Sequence, residues 1–470
     1  MNMHARPTPE AVSTVLETLR QAFGDRLQTG RAIREQHAHS VTWRAAQLPD
    51  AVVFPNKTRE VAQIVKICAA QGVPVIPFGA GTSVEGQVNA PFGGVAVSFR
   101  DMARVLAIHP EDLDCVVQPG ITRMRLNEEL RASGLFFPID PGADASLGGM
   151  TGTSASGTNA VRYGTMKEAV LALEVVMPDG QIIRTARRAK KTSAGYDLTH
   201  LIVGAEGTLG LVTEITLRLH GIPEAVASAA CTFPNVTEAV QTAIETVQSG
   251  VPVARMEFLD AASVRAVNAY SNLTLAEAPM LLLEFHGSDA SVKEQAETVG
   301  ALAADHGSSG FDWTTEPEAR SKLWQARHDA YWAAVRAHPG KQGYSTDVCV
   351  PVSRLAEAVD AAADEAASRG LAAPILGHVG DGNFHVLLFA DPENPSETSA
   401  VDAYSAWLVD LALSMDGTCT GEHGIGQGKM GALERELGPA LPYMVAVKRA
   451  LDPQGIMNPG KVVRDANGPA

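Results

Sequence analysis

Two histidines in a short, glycine-containing stretch could bind a metal ion. His378 and His385 flank residues 380–383, an Asp-Gly-containing turn between two β-prone runs, so the stretch is predicted to form a β-hairpin. If the loop is those four residues, His378 pairs directly with His385 on one face, with Cβ atoms about 5 Å apart. Two imidazoles at that spacing can share one metal ion, although a structural cross-strand pair has the same pattern.

Glu422 is the candidate third ligand, in the glycine-rich stretch of residues 417–426. Glycines allow this backbone to approach a bound group closely. Two histidines and one carboxylate with open positions suit Zn²⁺ or Mn²⁺ acting as a Lewis acid. The nearby Cys419 is expected to be a small buried hydrophobe rather than a further ligand.

A glycine-rich loop follows a β-prone run nearer the N-terminus. Residues 77–87 read Pro-Phe-Gly-Ala-Gly-Thr-Ser-Val-Glu-Gly-Gln, and their glycines and hydroxyls suit a pyrophosphate cradle built from backbone N–H groups. A Rossmann site would have a third glycine that opens a helix. Here Val84 stands at that position, and the next regular segment is predicted to be a strand. The loop alone is equally compatible with a tight structural turn.

A second segment of small residues, 140–164, carries almost no charge. A linker would have a similar composition, but hydrophobic runs follow closely, so the segment is predicted to lie inside a domain. Buried polar backbone needs partners for its amides, and a large ligand would supply them. Residues 146–157 and 204–210 provide two further glycine-rich loops.

The elements predicted around these motifs form two lobes of mixed helix and strand. The first lobe has helices that begin after Thr8 and at Thr58, and strands at 73–78 and 94–99. The pattern weakens around residues 221–227, which is a plausible boundary. The second lobe alternates predicted helices (236–249, 289–306, 316–337, 355–369) with predicted antiparallel strands (280–285, 348–352, 374–379, 384–389).

The composition excludes several classes of partner. The 470 residues include 38 Lys and Arg against 53 Asp and Glu, and a net charge of −15 disfavours nucleic acid and anionic membrane surfaces. Five scattered cysteines without a Cys-x-x-Cys argue against a disulfide scaffold, a thiolate zinc site or an iron–sulfur cluster. We expect no integral membrane segment and no leader peptide. The expected location is cytoplasmic, with peripheral association with the inner membrane as the alternative.

Together, these motifs resemble the vanillyl-alcohol-oxidase type of FAD-binding protein. The resemblance runs from Pro55-Asn-Lys-Thr58 to Met457-Asn-Pro-Gly-Lys461. Within this superfamily the chain is similar to the D-lactate dehydrogenase (cytochrome) group, which is related to glycolate oxidase flavoprotein subunits and D-2-hydroxyglutarate dehydrogenases. The resemblance implies an α+β, two-lobe FAD-binding fold with an antiparallel-sheet substrate (cap) domain. The expected domains are 1–222 for FAD, 223–424 for substrate, and a C-terminal segment, 425–470, that returns to the FAD-binding domain.

The resemblance also implies which residues contact FAD. Some family members attach the flavin covalently through a histidine in the first loop, but this loop has neither His nor Cys, so non-covalent FAD is expected. The implied residues bind the pyrophosphate, the ribityl chain and ring, and the adenosine end, and Asn458 returns to the flavin from the C-terminus. They are Pro77, Gly79, Gly81, Thr82, Ser83, Gly142, Ser146, Gly148, Gly149, Thr151, Ser154, Ser156, Glu206, Val212 and Asn458.

Five polar residues are implied in metal binding and catalysis. These relatives bind a divalent metal through the residues that match His378, His385 and Glu422. His423 would be the base that takes the hydroxyl proton, with a further metal ligand or a hydrogen-bonded loop residue as the alternative. Arg327, in a Leu-Trp-x-x-Arg segment, would clamp the substrate carboxylate. Its alternative is an ordinary surface arginine paired with Asp329 or Glu318, and Lys341 is a weaker candidate for the clamp.

Two departures from the 2-hydroxyglutarate branch bear on the substrate. That branch carries a Lys just before the Asp of an Asp-x-x-x-Pro strand and an Asn two residues after the second histidine. Here Tyr344-Ser-Thr precedes Asp347, and Leu387 follows His385. A second substrate carboxylate would therefore lack partners, which is costly for a buried charge. A short apolar side chain, such as the methyl of lactate, is preferred.

The implied activity is metal-assisted, FAD-dependent oxidation of a D-2-hydroxy acid, with D-lactate to pyruvate preferred. Side chains of the second lobe are expected to converge on a flavin bound by the first. The alternatives are a D-2-hydroxyglutarate or glycolate dehydrogenase, a non-redox flavin-dependent alkyl transferase, and a non-catalytic flavin- or metal-binding module. Expected partners are a small 2-hydroxy acid and an electron acceptor such as cytochrome c, a quinone or an electron-transfer flavoprotein. A homodimer remains open.

Overall fold

The computed structural model describes residues 6–40, 42 and 44–464. Its α-helices are α1 (Pro9–Phe23), α2 (Arg31–Gln36), α3 (Thr58–Ala69), α4 (Arg123–Leu130), α5 (Leu147–Thr153), α6 (Ala160–Tyr163), α7 (Met166–Ala169), α8 (Leu198–Ile202), α9 (Val236–Gln248), α10 (Ala261–Ser271), α11 (Asp289–Asp305), α12 (Pro317–Ala337), α13 (Leu355–Ser368), α14 (Pro395–Ser414), α15 (Met430–Leu437) and α16 (Leu441–Leu451).

The strands range from two to eight residues in length. They are β1 (Leu27–Gln28), β2 (Ala51–Val53), β3 (Val75–Phe78), β4 (Val95–Ser98), β5 (Val105–His109), β6 (Asp114–Val117), β7 (Leu135–Phe136), β8 (Val170–Val176), β9 (Ile182–Arg184), β10 (Leu211–Arg218), β11 (His220–Gly221), β12 (Ala225–Thr232), β13 (Val253–Leu259), β14 (Met280–Gly287), β15 (Ser309–Thr314), β16 (Gln342–Ser345), β17 (Val348–Cys349), β18 (Ile375–His378) and β19 (Asn383–Ala390).

The chain divides into two compact units. The first contains the chain up to Ala155, Thr165–Ile222 and the residues from Glu422 onward, and the second contains Ser156–Gly164 and Pro223–Gly421. The mixture of helices and sheets in both units confirms the predicted α+β class.

The first unit is built on two main sheets. A four-stranded sheet has the order β1-β2-β4-β3, in which β4 is parallel to both β2 and β3. A five-stranded antiparallel sheet has the order β5-β6-β10-β8-β9. The regular element after the loop of residues 77–87 is β4, so the predicted strand is confirmed and the Rossmann arrangement, which needs a helix there, does not occur.

Amphipathic helices cover the four-stranded sheet. The predicted N-cap of α1 is confirmed, because the Thr8 hydroxyl accepts a hydrogen bond from the Ala11 amide at 3.3 Å. Helix α3 buries Val61, Ile64 and Val65 in the same apolar cluster as the strands. Burying each such side chain contributes about 1.5–3 kcal/mol, which is why the 3.6-residue periodicity predicts these helices.

The C-terminal segment packs within the first unit. The Val75 amide donates to the Ile456 carbonyl at 2.8 Å, and the Asn458 amide donates to the Val75 carbonyl at 2.9 Å. The buried Lys448 ammonium also donates to the Met457 carbonyl at 3.0 Å. These bonds fix the segment that contains Asn458 against β3.

The second unit is built on an antiparallel sheet in the order β15-β12-β14-β13-β18-β19-β16, with β17 paired to β19. Helix α12 lies on one face and buries Trp324 and a row of alanines against Leu282, Leu376 and Leu387. The four helices predicted for this lobe are confirmed to within one residue at either end. This face of the sheet also carries the two candidate metal-binding histidines.

The predicted register of the histidine hairpin is wrong by two residues. His378 pairs with Asn383 and not with His385. The loop is residues 379–382, because Gly382 adopts a left-handed φ of 79° at its end and Asn383 already begins β19. The two histidines are diagonal neighbours that remain on one face, since side chains two residues apart on a strand point to the same side.

A histidine at the end of α11 makes the stability of the second unit depend on pH. His306 contacts Glu238 through Nδ1 at 2.8 Å and Glu245 through Nε2 at 3.2 Å. The hydrogen bond to Glu238, and then that to Glu245, raise the pKa of His306 above 6.5 although burial opposes them. A raised pKa means that the folded state holds the proton more tightly than the unfolded state. The stabilisation is therefore fully present below pH 6.5 and lost as the pH rises through the folded-state pKa.

The expected result is that His306→Gln lowers the free energy of unfolding by up to about 1 kcal/mol below pH 6.5 and by much less at alkaline pH. Denaturant unfolding of both proteins across a pH series measures this difference. His338→Gln is the matched control, because the His338 Nδ1 donates to a backbone carbonyl instead of a carboxylate. A His306→Gln effect that stayed constant with pH would contradict the assignment.

Among the described residues, no helix combines the length and the apolar composition that crossing a bilayer requires.

Candidate active site

The two candidate metal-binding histidines lie side by side at the end of the β18–β19 hairpin. His378 is the last residue of β18, and His385 is the third residue of β19. Both side chains are buried, and their ring centroids are 5.6 Å apart with the ring planes nearly perpendicular at 88°. The two rings are therefore close enough for one nitrogen of each to bind the same ion.

Hydrogen bonds fix the tautomers of both imidazoles. The His385 Nδ1 contacts the Thr346 carbonyl at 2.8 Å, and a carbonyl can only accept, so Nδ1 carries the proton. The His378 Nδ1 contacts the Glu257 carboxylate at 2.6 Å and is likewise the donor. In both rings Nε2 therefore carries the lone pair that a metal ion needs.

Glu422 completes a group that could hold a metal ion. It follows directly on Gly421, the last residue of the second unit. One ligand atom from each of His378, His385 and Glu422 lies within 4.8 Å of the other two. Two imidazole nitrogens and a carboxylate are a donor set that suits Zn²⁺ or Mn²⁺, so the residues present fit a divalent metal.

A buried aspartate positions the turn before Glu422. The Asp347 carboxylate accepts from the Asn383 amide group at 2.7 Å and from the Thr420 hydroxyl at 2.7 Å. Asn383 opens β19, so one carboxylate joins the histidine hairpin to the turn that leads to Gly421. A further pair of backbone hydrogen bonds between Cys349 and Thr418 supports the same turn.

Glu257, on β13, is the central buried charge of the second unit. One carboxylate oxygen accepts from the His378 Nδ1 at 2.6 Å, and the other accepts from the Arg327 Nε at 2.7 Å. Its side chain has no exposed area. Burial alone would raise the pKa of Glu257, but His378 and Arg327 outweigh burial and lower the pKa below its ordinary value. Glu257 is therefore ionised and compensated by two partners.

Arg327 lies in α12, as predicted, but its partner differs from those that the sequence suggested. Neither Glu318 nor Asp329 accepts its hydrogen bond; Asp329 accepts from Ser271 and Gln325 instead. Among the described residues, only Glu257 accepts from Arg327, through Nε. The two terminal nitrogens form the remaining edge of a mostly buried guanidinium, and that edge can bind a carboxylate bidentately.

Lys341, the weaker candidate for the clamp, is half-exposed and pairs with Glu397 at 3.0 Å. Cys419 is fully buried and is not part of a disulfide bond, as expected of a small buried hydrophobe.

Sequence reasoning missed Glu257 because β13 was not predicted. The signal is nevertheless present, since Val253–Leu259 alternates apolar residues with Arg255 and Glu257. Two charges that face one side of an otherwise apolar strand indicate a buried polar site, because an unpaired charge there would be very costly. The partners of Glu257 lie 70 and 121 residues away, and the sequence alone does not identify them.

In the first unit, the first glycine loop packs against the segment that opens α5. The Ala80 amide donates to the Ser146 hydroxyl at 3.2 Å, and a Cβ on Gly79 would overlap that hydroxyl. Gly81 adopts a left-handed φ of 72°. The Ser83 hydroxyl oxygen is buried and has no hydrogen-bond partner among the described residues. A buried, unsatisfied hydroxyl in a close-packed glycine loop fits the phosphate oxygens of FAD.

The third glycine loop, residues 204–210, packs against the first two glycine loops. The Gly204 amide donates to the Thr151 carbonyl at 2.9 Å, and Gly207 packs against the ring of Pro77. The remaining predicted cofactor residues are more dispersed. Thr82 is in the first loop, Gly148 and Gly149 are in α5, Ser154 follows α5 with φ 52°, Val212 is in β10, Gly142 lies on an exposed turn, and Ser156 begins the short segment of the second unit.

Glu206 and Asn458, predicted for the adenosine end and the flavin, contact each other. The Asn458 side chain donates to the Glu206 carbonyl at 2.7 Å. The Glu206 carboxylate accepts from the Ile425 and Gly426 amides. Burial raises the pKa of Glu206 to about 7, although the two amides oppose this. His423 is half-buried in the same loop.

Comparisons with known proteins identify the family of this chain. The family described as "FAD binding domain" matches residues 49–186, and that described as "FAD linked oxidases, C-terminal domain" matches residues 222–462. The "Probable D-lactate dehydrogenase, mitochondrial" of Danio rerio is 51% identical, covering 96% of this chain and 92% of that protein. The "D-lactate dehydrogenase [cytochrome], mitochondrial" of Arabidopsis thaliana is 48% identical, covering 89% and 74%.

The expectation of a cytoplasmic location is wrong. Both of these relatives carry "mitochondrial" in their names, which points to the mitochondrion rather than the cytoplasm. Composition and charge do not encode a compartment, so the expectation rested only on the lack of recognised targeting features.

A solved structure with the same fold extends the comparison. The 4-ethylphenol oxidase of Gulosibacter chungangensis has a TM-score of 0.78 against this chain, with 17% identity and 97% of each chain covered. At that identity the likeness concerns the fold alone, and it confirms the predicted vanillyl-alcohol-oxidase type. The chain belongs to the FAD-linked oxidases and, within them, to the D-lactate dehydrogenase (cytochrome) group of FAD-dependent 2-hydroxy-acid dehydrogenases.

Proposed function

We propose that this enzyme oxidises D-lactate to pyruvate with the assistance of a divalent metal. One observation carries the proposal: Glu257 joins Arg327, the candidate carboxylate clamp, to His378, a candidate metal ligand. A 2-hydroxy acid has its carboxylate and its hydroxyl on adjacent carbons. Its recognition needs a cation and a metal site at a short, fixed spacing, and a shared buried carboxylate provides that spacing. The names of the relatives support D-lactate as the substrate.

Each group has a distinct role in this proposal. Bound FAD would supply a hydride acceptor for C2, and a divalent metal held by His378, His385 and Glu422 would supply Lewis-acid stabilisation of an oxygen anion. The terminal nitrogens of Arg327 bind the substrate carboxylate. The imidazole of His423 takes the hydroxyl proton, a task that suits a base with a pKa near neutrality. Glu257 holds Arg327 and His378 in position.

The surroundings of the second histidine support a substrate with a short apolar side chain. Leu387, two residues after His385, is 2% exposed and packs in a cluster with Trp324, Leu376 and Phe389. None of these side chains offers a cation to a second carboxylate. Burying an unpaired carboxylate would be costly, so D-lactate is favoured over D-2-hydroxyglutarate.

We also propose a cytochrome as the electron acceptor. One relative carries "[cytochrome]" in its name, and a protein of net charge −15 attracts a basic partner by long-range steering. The proposal predicts that turnover with cytochrome c falls as ionic strength rises.

The test of the substrate is a steady-state panel with an artificial dye as acceptor and added Zn²⁺ or Mn²⁺. The expected result is a kcat/KM for D-lactate at least about 100-fold above that for D-2-hydroxyglutarate, because an unpaired buried charge costs about 3 kcal/mol or more. L-lactate, which has the same composition, is the control for stereochemistry. Turnover of D-2-hydroxyglutarate that equals or exceeds that of D-lactate would contradict the proposed substrate.

A further inference from the structure

A single buried carboxylate holds the loop that contains Glu422 and His423. The Glu206 Oε1 accepts from the Ile425 amide at 2.7 Å, and its Oε2 accepts from the Gly426 amide at 2.8 Å. These amides belong to a glycine-rich loop outside any helix or strand, so they need a partner from elsewhere in the fold. A carboxylate that accepts from two consecutive amides fixes the orientation of the loop backbone.

The residues next to His423 are held from a second direction. The Gln87 side-chain amide donates to the His423 carbonyl at 2.9 Å. A Cβ on Gly424 would lie 2.5 Å from Glu206 Oε1, so the loop approaches the carboxylate as closely as glycine permits. Gly424 also has a φ of 77°, which other residues rarely adopt. The backbone that directly follows the His423 side chain is therefore held by both Gln87 and Glu206.

Unfavourable backbone conformations are concentrated around this loop. Glu206 has a φ of 51°, Asn458 a φ of 41° and the β-branched Val462 a φ of 65°. The Val462 amide donates to the Gly426 carbonyl at 3.1 Å, and the Asn458 side chain donates to the Glu206 carbonyl at 2.7 Å. Non-glycine residues persist in the left-handed region only where surrounding contacts hold them, and such residues cluster at functional sites.

We propose that Glu206 is a positioning residue for the reaction, whose carboxylate fixes the loop that presents Glu422 and His423. The proposal rests on the proposed function in one respect, namely that His423 takes the substrate proton. It differs from the role that the family resemblance implies for Glu206, at the adenosine end of FAD. The difference follows from the geometry, because both carboxylate oxygens already accept hydrogen bonds from this loop.

The first test is Glu206→Gln in the FAD-loaded enzyme. Glutamine keeps the shape of the side chain, but its NH₂ group faces one of the two amides and cannot accept from it. The expected result is a kcat for D-lactate about 100-fold lower, with KM changed less than about 3-fold and the FAD content per chain unchanged. Glu206→Asp, which keeps both acceptor oxygens, is expected to recover part of kcat.

A second readout does not depend on turnover. Hydrogen–deuterium exchange of the peptide spanning residues 422–428 is expected to be faster in Glu206→Gln than in the parent enzyme, because two amides lose their fixed acceptor. Glu214→Gln is the matched control: Glu214 pairs with Arg184 on the same unit and does not contact the loop. This control is expected to leave kcat, FAD content and exchange unchanged.

The results of these tests distinguish a positioning role of Glu206 from a role in binding FAD. Lost FAD with a normal kcat per bound FAD would overturn the proposal and identify Glu206 as a cofactor ligand. Unchanged exchange at 422–428 would also overturn it. If Glu206→Gln does not fold, Gln87→Leu removes the other restraint on His423, and an unchanged kcat in that variant would contradict a positioning role. A parent enzyme that does not oxidise D-lactate would overturn the proposed function, while the exchange result would still test whether Glu206 positions the loop.

Discussion

Replacing Glu257 by alanine is expected to lower the affinity for a divalent metal about 10- to 100-fold and the free energy of unfolding by about 3–5 kcal/mol. The physical reason is that one buried carboxylate compensates two groups. The His378 ring would lose the acceptor that fixes its tautomer, and the guanidinium of Arg327 would be left buried without its partner. Turnover of D-lactate is expected to fall at least as far as metal affinity.

Metal titration by calorimetry, denaturant unfolding and steady-state kinetics measure these three effects. Glu277→Ala is the matched control, because Glu277 contacts the Arg265 Nε at 2.8 Å, almost the same distance as in the Glu257–Arg327 pair. The Glu277 pair is largely exposed, so its loss should cost at most about 1 kcal/mol and leave metal affinity unchanged. Equal losses of stability in both variants, with metal affinity intact, would contradict the bridging role of Glu257.

Glu257→Gln removes the negative charge but keeps the shape of the side chain. The amide can accept from one partner only, so one of His378 and Arg327 must lose its acceptor. The expected metal affinity lies between those of the parent and of Glu257→Ala. A KM for D-lactate that rises more than kcat falls would indicate that Arg327 is the partner that is released.

Local features of the sequence predicted some of the elements. Helix α12 was predictable because its apolar residues recur at helical spacing, and α1 because Thr8 and Pro9 form an N-terminal cap. The glycine loop of residues 77–87 was predictable because its glycines stand between two strand-like runs. These signals depend only on neighbours along the chain, so no tertiary information is needed to read them.

The predictions that were wrong or missing depend on a turn conformation or on contacts between residues far apart in the sequence. The hairpin register was misjudged because the left-handed φ of Gly382 ends the loop one residue earlier than predicted. Glu257 was missed because its function exists only after β13, β18 and α12 have packed together. The domain boundaries and the roles of the individual site residues remain predictions.

Removal of the divalent metal is expected to have the second large effect. The proposed metal stabilises charge that develops during oxidation, a contribution of several kcal/mol, so removal should slow the chemical step at least about 100-fold. Most of the predicted FAD residues belong to the first unit, whereas His378 and His385 belong to the second, so FAD is expected to stay bound. Glu422→Gln is expected to lower the rate similarly and not to recover when metal is added.

The decisive measurement is the rate at which D-lactate bleaches the flavin absorption band under anaerobic conditions. It is made on the parent enzyme, on the same enzyme after chelation, and after Zn²⁺ or Mn²⁺ is returned. We expect rapid bleaching of the flavin band with metal bound, bleaching at least about 100-fold slower after chelation, and recovery of the rate when metal is added back. Equally rapid bleaching in protein that contains FAD but no measurable metal would contradict it.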